Sequence, residues 1–201
     1  MMGDTKERIV QMALELFARR GYEAVSVSDI AGALGLTKGA LYRHFESKRA
    51  IFDSILARMA RQDAQEAQDH DLPQRTVETD PAAYETASVE DIVSFSKAMF
   101  RYWTQDPFAA PFRRMLTVEQ YHSPEMASLY RQYLAAGPMG YVADLFHSLD
   151  FSDPKRRAAE FYGPMFLLYS VYDGAEDKAA VKALLDEYLD HIKAELKGAR
   201  K

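Results

Sequence analysis

The sequence predicts an all-α chain, and three observations carry that prediction. No segment alternates apolar and polar residues with a period of two. Apolar residues recur instead at three- and four-residue spacing from Ile9 almost to the C-terminus. Between these runs stand helix boundary signals: Ser, Thr or Asp at the starts, prolines directly after them, glycines at the ends. About nine helices are expected. They form an N-terminal three-helix unit built on a helix-turn-helix, residues 1–47, and a larger helical remainder, residues 48–201.

The first helix starts near Asp4 or Thr5. Ile9, Met12, Ala13, Leu16 and Phe17 form its apolar stripe, Arg19 and Arg20 suit the negative end of its dipole, and Gly21 closes it. Ser26 followed by Asp29 is a capping-box start for the second helix, whose Val27, Ile30, Ala31 and Leu34 share a face. Gly35 tolerates the left-handed conformation that ends a helix, and Leu36 supplies the apolar contact that often follows. Thr37 caps the third helix at once. Leu41 and Phe45 anchor that helix, while Lys38, Tyr42, Arg43 and His44 lie on its other side. Gly39 and Ala40 leave little bulk at its start. The expected core is Ile9, Met12, Leu16, Phe17, Val27, Ile30, Leu34, Leu41 and Phe45.

A longer helix follows Ser47 through Ile51, Phe52, Ile55, Leu56 and Met59 to about Gln68. Residues 69–87 are acidic and broken by Pro73 and Pro81, which reads as a loop. Helices are then expected over about 88–105, 108–121 and from Ser123-Pro124 onward, the last bent or divided at Gly137-Pro138. Asp153-Pro154 opens another, ended by Asp173-Gly174, and the final helix runs from about Glu176 to Leu196.

The 201 residues carry a net charge of -5. Residues 1–50 hold eight Lys/Arg and six Asp/Glu, and the rest seventeen against twenty-four, so the acidic excess lies away from the helix-turn-helix. With no cysteine, disulfides, thiol nucleophiles and Cys-zinc sites are excluded, and a reducing cytoplasm fits. No apolar run reaches the ~20 residues of a membrane span, and the N-terminus lacks the apolar core of a signal peptide. His70, His122, His147 and His191 show no ligand-like spacing, so no metal site is expected; His122 beside Tyr121 is kept as a pocket candidate. No acid–base or triad signature argues for an enzyme, and no cofactor is expected.

Physics gives the outward side chains a use. Lys38 can reach a phosphate or a guanine edge, and Tyr42 and His44 can donate to phosphate oxygens. Arg43 can read guanine or hold phosphate, and the sequence leaves both open. The amide ends at Thr37 and Ser47 suit anions.

The stretch from Ser26 through Asp29-Ile30-Ala31, Leu34-Gly35-Leu36-Thr37-Lys38-Gly39-Ala40-Leu41-Tyr42-Arg43-His44-Phe45 to Ser47-Lys48 resembles the DNA-binding domain of TetR/AcrR-type transcriptional regulators. So does Ala13-Leu14-Glu15-Leu16-Phe17-Ala18-Arg19-Arg20-Gly21-Tyr22 upstream. The resemblance covers roughly the first 55 residues. It implies that Thr37, Lys38, Gly39, Ala40, Tyr42 and His44 face DNA, that Ser26 and Ser28 contact it from the preceding helix, and that Lys48 holds a phosphate. Position 26 is more often Thr in such sequences, and Ser keeps the capping hydroxyl. The resemblance further implies a homodimer on a near-palindromic double-stranded operator, with the last two helices of each chain forming the interface. It implies a small-molecule pocket in residues 48–201 whose ligand releases the DNA.

The aromatic and Met-rich second half offers Phe100, Trp103, Met115, Tyr130, Tyr133, Phe166 and Tyr169 as ligand-binding candidates. Phe161, Leu168, Tyr172, Val181, Leu185, Tyr188 and Ile192 form a stripe that faces either a partner chain or its own core. The expected function is a ligand-responsive DNA-binding regulator, most simply a cytoplasmic repressor. The alternatives are a DNA-binding regulator without an inducer and a helical binding module.

Overall fold

The computed structural model describes residues 2–69 and 88–199, and every element in them is helical. The order is α1 (Met2–Arg20), α2 (Val27–Ala33), α3 (Lys38–Tyr42), α4 (Lys48–Asp69), α5 (Val89–Gln105), α6 (Ala109–Glu119), α7 (Pro124–Leu134), α8 (Ala136–Ser148), α9 (Pro154–Gly174) and α10 (Lys178–Ala199). The described helices number ten, the bend or division expected at Gly137-Pro138 being a division at Ala135. Pro138 lacks the N–H that would have bonded the Leu134 carbonyl in a continuous helix. Gly137 is required at this break, since a side-chain carbon there would lie 1.9 Å from the Gln132 carbonyl oxygen. The loop expected over 69–87, with Pro73, Pro81 and His70, lies outside the described residues except for Asp69, which ends α4.

The chain forms two compact units. The first comprises Met1–Gln65 and Pro107–Tyr130, and the second Glu66–Asp106 and Arg131–Lys201. The expected boundary at 47/48 therefore falls within the first unit, which takes in most of α4, all of α6 and α7 as far as Tyr130.

In the first unit α1 packs against both α2 and α6. Its buried residues are Ile9, Val10, Ala13, Leu14 and Phe17, while Met12 and Leu16 stay half-buried. The buried face is thus rotated toward Val10 and Leu14 relative to the expected stripe, because α6 covers a side of α1 that a three-helix unit alone leaves open. Leu34 is likewise half-buried at the end of α2. Ile51, Phe52, Ile55 and Met59 of α4 and Phe108, Phe112, Met115 and Leu116 of α6 complete this core. Gln11 of α1 donates to the Pro107 carbonyl at 2.8 Å, and the Arg58 guanidinium lies 4.0 Å over the Phe108 ring.

In the second unit α9 packs on α8, α5 and α10, and α10 also packs on α5. Ser88 and Asp91 start α5 with the same reciprocal capping box that Ser26 and Asp29 build on α2. Asp153 caps α9 ahead of Pro154. Tyr162 donates to the Leu134 carbonyl at 2.8 Å, satisfying the acceptor that Pro138 frees.

Candidate nucleic-acid interface

The site is built on residues 20–48. Gly21, at φ +84°, turns the chain out of α1. Ser26 Oγ then accepts the Asp29 N–H at 3.1 Å, and the Ser26 N–H donates to the Asp29 carboxylate at 2.8 Å. Arg20 donates to the same carboxylate at 3.2 Å. The Ser26 hydroxyl and amide, then Arg20, hold the Asp29 carboxyl at about 2, well below its ordinary value.

The exit from α2 is a full Schellman turn. The Leu36 N–H donates to the Ala31 carbonyl at 2.9 Å, the Gly35 N–H donates to the Gly32 carbonyl at 3.1 Å, and Gly35 takes φ +66°. Thr37 caps α3, its hydroxyl accepting the Ala40 N–H at 3.1 Å. Only five residues of α3 are α-helical; Arg43 is its C-cap, and His44 and Phe45 both donate to the Leu41 carbonyl. Leu41 and Phe45 are buried and pin α3 down.

That anchoring decides what faces out. Ser26, Ser28, Thr37, Lys38, Gly39, Tyr42 and Arg43 are exposed, while Ala40 and His44 are half-buried. Tyr42 keeps 44% of its surface, with the Lys38 ammonium 5.8 Å from its ring centre. A side-chain carbon at Gly39 would meet nothing within 4 Å, so the backbone here lies open to an approaching molecule. A cation, a phenol and a guanidinium thus surround bare backbone on one side of a short, capped helix.

Lys48 differs from this group. Its ammonium donates to the Tyr22 carbonyl at 2.8 Å, sits 4.2 Å over the Tyr22 ring and lies 3.7 Å from Glu23. It ties α4 to the α1–α2 turn. Sequence reasoning missed Arg49, which grips Glu125 with two hydrogen bonds of 2.8 and 2.7 Å, and it missed the buried Glu119 on Tyr22. Both partners come from segments more than 70 residues away, and no local signal marks them.

The ligand candidates divide between the units. In the second unit, Phe100 stacks on Tyr169 at 5.2 Å and meets Tyr172 edge-on, and Trp103 meets Tyr133 at 6.3 Å. Phe166 is exposed and leans on Tyr162. Met115, fully buried, and Tyr130 belong to the first unit. Tyr121 and His122 are exposed, so they form no enclosed pocket as a pair.

The stripe left open between partner and core divides too. Phe161, Leu168, Tyr172, Val181 and Leu185 are buried in their own chain, and Tyr188 and Ile192 are half-buried. The exposed large apolar residues of α9 and α10 are instead Phe166, Leu167, Val171 and Leu184. Among the described residues no three metal-ligating side chains gather, and no helix is long and apolar enough to cross a membrane.

The profile of "Bacterial regulatory proteins, tetR family" matches residues 9–55. Over 51 residues the chain is 45% identical to the HTH-type transcriptional repressor KstR2 of Rhodococcus jostii, covering 25% of each protein. Over 52 residues it is 40% identical to the HTH-type transcriptional regulator AcrR of Shigella flexneri, covering 26% of this chain and 24% of that protein. The chain therefore spans about a quarter of the length of these relatives. A transcriptional regulator of Aquifex aeolicus is similar in fold over 94% of this chain and 99% of its own, with a TM-score of 0.65 at 20% identity. A gamma-butyrolactone receptor is similar over 94% and 97%, with a TM-score of 0.59 at 23% identity.

Proposed function

We propose that this chain, whose residues 9–55 match the tetR family of bacterial regulatory proteins, is a ligand-responsive DNA-binding transcriptional repressor of that family. It acts as a homodimer in the cytoplasm and leaves a near-palindromic operator when a small molecule binds. The observation that carries this reading is the outer face of α3: Lys38, Tyr42 and Arg43 exposed around an unobstructed Gly39, with Leu41 and Phe45 fixing the helix from behind. A major groove takes such a helix, with phosphate contacts fixing its register. In this reading Ser26, Ser28, Thr37, Ala40 and His44 add contacts at the two helix starts and the end of α3. Lys48 offers phosphate the N–H groups that its bond to the Tyr22 carbonyl leaves over.

Functionally, residues 1–47 read DNA, and residues 48–201 bind ligand and pair the subunits. The ring clusters around Phe100–Tyr169 and Trp103–Tyr133 supply apolar surface with phenol handles, which suits a small apolar ligand. Phe166, Leu167, Val171 and Leu184 supply the partner-facing surface. Two recognition helices would then stand ~34–36 Å apart, or a multiple of that. The repressor name of the Rhodococcus relative supports the sign of regulation.

The test is titration of duplexes enriched by the protein from a random-sequence library, at several salt concentrations. Tight binding that weakens steeply with salt, on sites with two-fold symmetry, is expected because phosphate contacts release counterions. Absent or salt-indifferent binding would overturn the reading.

A further inference from the structure

Glu119 is the one buried acidic side chain among the described residues. It ends α6, yet its Oε1 accepts the backbone N–H of Tyr22 at 2.8 Å, from 97 residues away in sequence. Its Oε2 lies 3.2 Å from His122 Nδ1. A buried carboxylate needs such partners, and it supplies an acceptor for the Tyr22 N–H, a donor in the turn beyond α1. The turn is shaped to admit it. Gly21 sits at φ +84°, and a side-chain carbon there would stand 3.0 Å from Glu119 Oε1. The other polar group of the same residue is also held, since the Tyr22 carbonyl accepts Lys48 Nζ at 2.8 Å. The Tyr22 ring packs at 5.0 Å from Phe17 and 5.2 Å from Phe52. Both main-chain groups and the ring of Tyr22 are thus gripped just before Ser26 starts α2.

We infer that Glu119 is a positioning residue for the DNA-reading helices: by capping the Tyr22 amide it fixes how the chain leaves α1, and so the seat of α2 and α3. This rests on the proposed DNA-binding role. The Arg49–Glu125 pair makes a second tie within the unit, but both its partners are exposed, where ion pairs contribute little. Sequence-specific binding needs the helix pair seated correctly, whereas non-specific binding needs only charge, so Glu119 acts on the first far more than on the second.

The experiment uses the full chain, a duplex enriched by the wild-type protein from a random library, and an unselected duplex of equal length. Glu119→Ala removes the acceptor, Glu119→Asp keeps the charge but shortens its reach, and Glu119→Gln keeps an acceptor oxygen in place. Glu119→Ala and Glu119→Asp are expected to weaken binding to the enriched duplex about tenfold, the scale of one hydrogen bond to a charged group. Binding to the unselected duplex should change less than about threefold, and Glu119→Gln should stay close to wild type. Hydrogen exchange of the Tyr22 amide should quicken in the Ala and Asp variants and not in the Gln variant. If Glu119→Ala does not fold, the Asp and Gln pair carries the comparison. Wild-type affinity in folded Glu119→Ala or Glu119→Asp, or an equal loss in Glu119→Gln, would overturn the inference alone. A wild-type protein that enriches no duplex would overturn the DNA reading and this inference with it.

Discussion

The hydroxyl of Tyr188 on α10 donates to the carbonyl oxygen of Glu160 on α9 at 2.8 Å, the acceptor that Pro164 leaves without its helical N–H. The same hydroxyl lies 2.9 Å from the Phe161 carbonyl oxygen. Tyr162 serves the Leu134 carbonyl upstream of Pro138 in the same way. Pro138 of α8 and Pro164 inside α9 thus each have a tyrosine from another element satisfying the carbonyl four residues before them. The proline converts a local backbone bond into a tertiary one, which joins α10 to α9.

Tyr188→Phe should cost about 1 kcal/mol in urea unfolding, the net worth of one such bond. Pro164→Ala restores an N–H to the Glu160 carbonyl, so the penalty of Tyr188→Phe should fall by at least half in that background. A double-mutant cycle measures this coupling.

Burial, then Glu195 and Glu160, pushes the Tyr188 hydroxyl up to about 12. A group raised in the folded state stabilises it fully below its unfolded value. That contribution is therefore present below pH 10 and lost as pH rises toward 12. Ultraviolet titration should show a late-ionising tyrosine component that is lost in Tyr188→Phe.

Asp29 works in the opposite sense. Its carboxyl is lowered from 3.8 to about 2, so its contribution is present above pH 3.8 and lost as pH falls to about 2. An NMR titration of Asp29 should give a midpoint near that lowered value. Ser26→Ala, which removes the leading hydrogen bond, should move the midpoint upward, whereas Arg20→Ala should move it less.

Gly39→Ala separates fold from function. The added carbon meets nothing in the free protein, and alanine suits a helix better than glycine by about 0.5–1 kcal/mol. The thermal midpoint should hold or rise, while affinity for an enriched duplex should fall at least tenfold through lost backbone approach. Lys38→Ala should instead weaken all duplexes alike and reduce the salt slope by about 1.

Leu167 and Leu184 are 63% and 52% exposed, so a charge there meets water in a single chain. Leu167→Asp or Leu184→Asp should leave the helical content intact and yield a monomer by sedimentation velocity. Persistence of a dimer in both variants would move the subunit contact elsewhere.

The local signals were legible in the sequence by itself. The Ser26–Asp29 box, the Gly35 exit and the Thr37 cap each depend on partners within six residues, and the all-α class and the split between Leu41/Phe45 and Lys38/Tyr42/Arg43 follow from helical spacing. Short-range sterics and hydrogen bonding settle such features before any distant contact forms. Tertiary structure decided what covers each apolar face. An amphipathic stripe states that a face is buried but not against what, so the core side of α1 shifted to Val10 and Leu14 once α6 packed there. For the same reason Phe161, Leu168, Tyr172, Val181 and Leu185 went to their own chain's core and left Phe166, Leu167, Val171 and Leu184 outside. The polar ties of Glu119 and Lys48 to Tyr22 belong with these, because buried charges and backbone groups find their partners only after the helices have met.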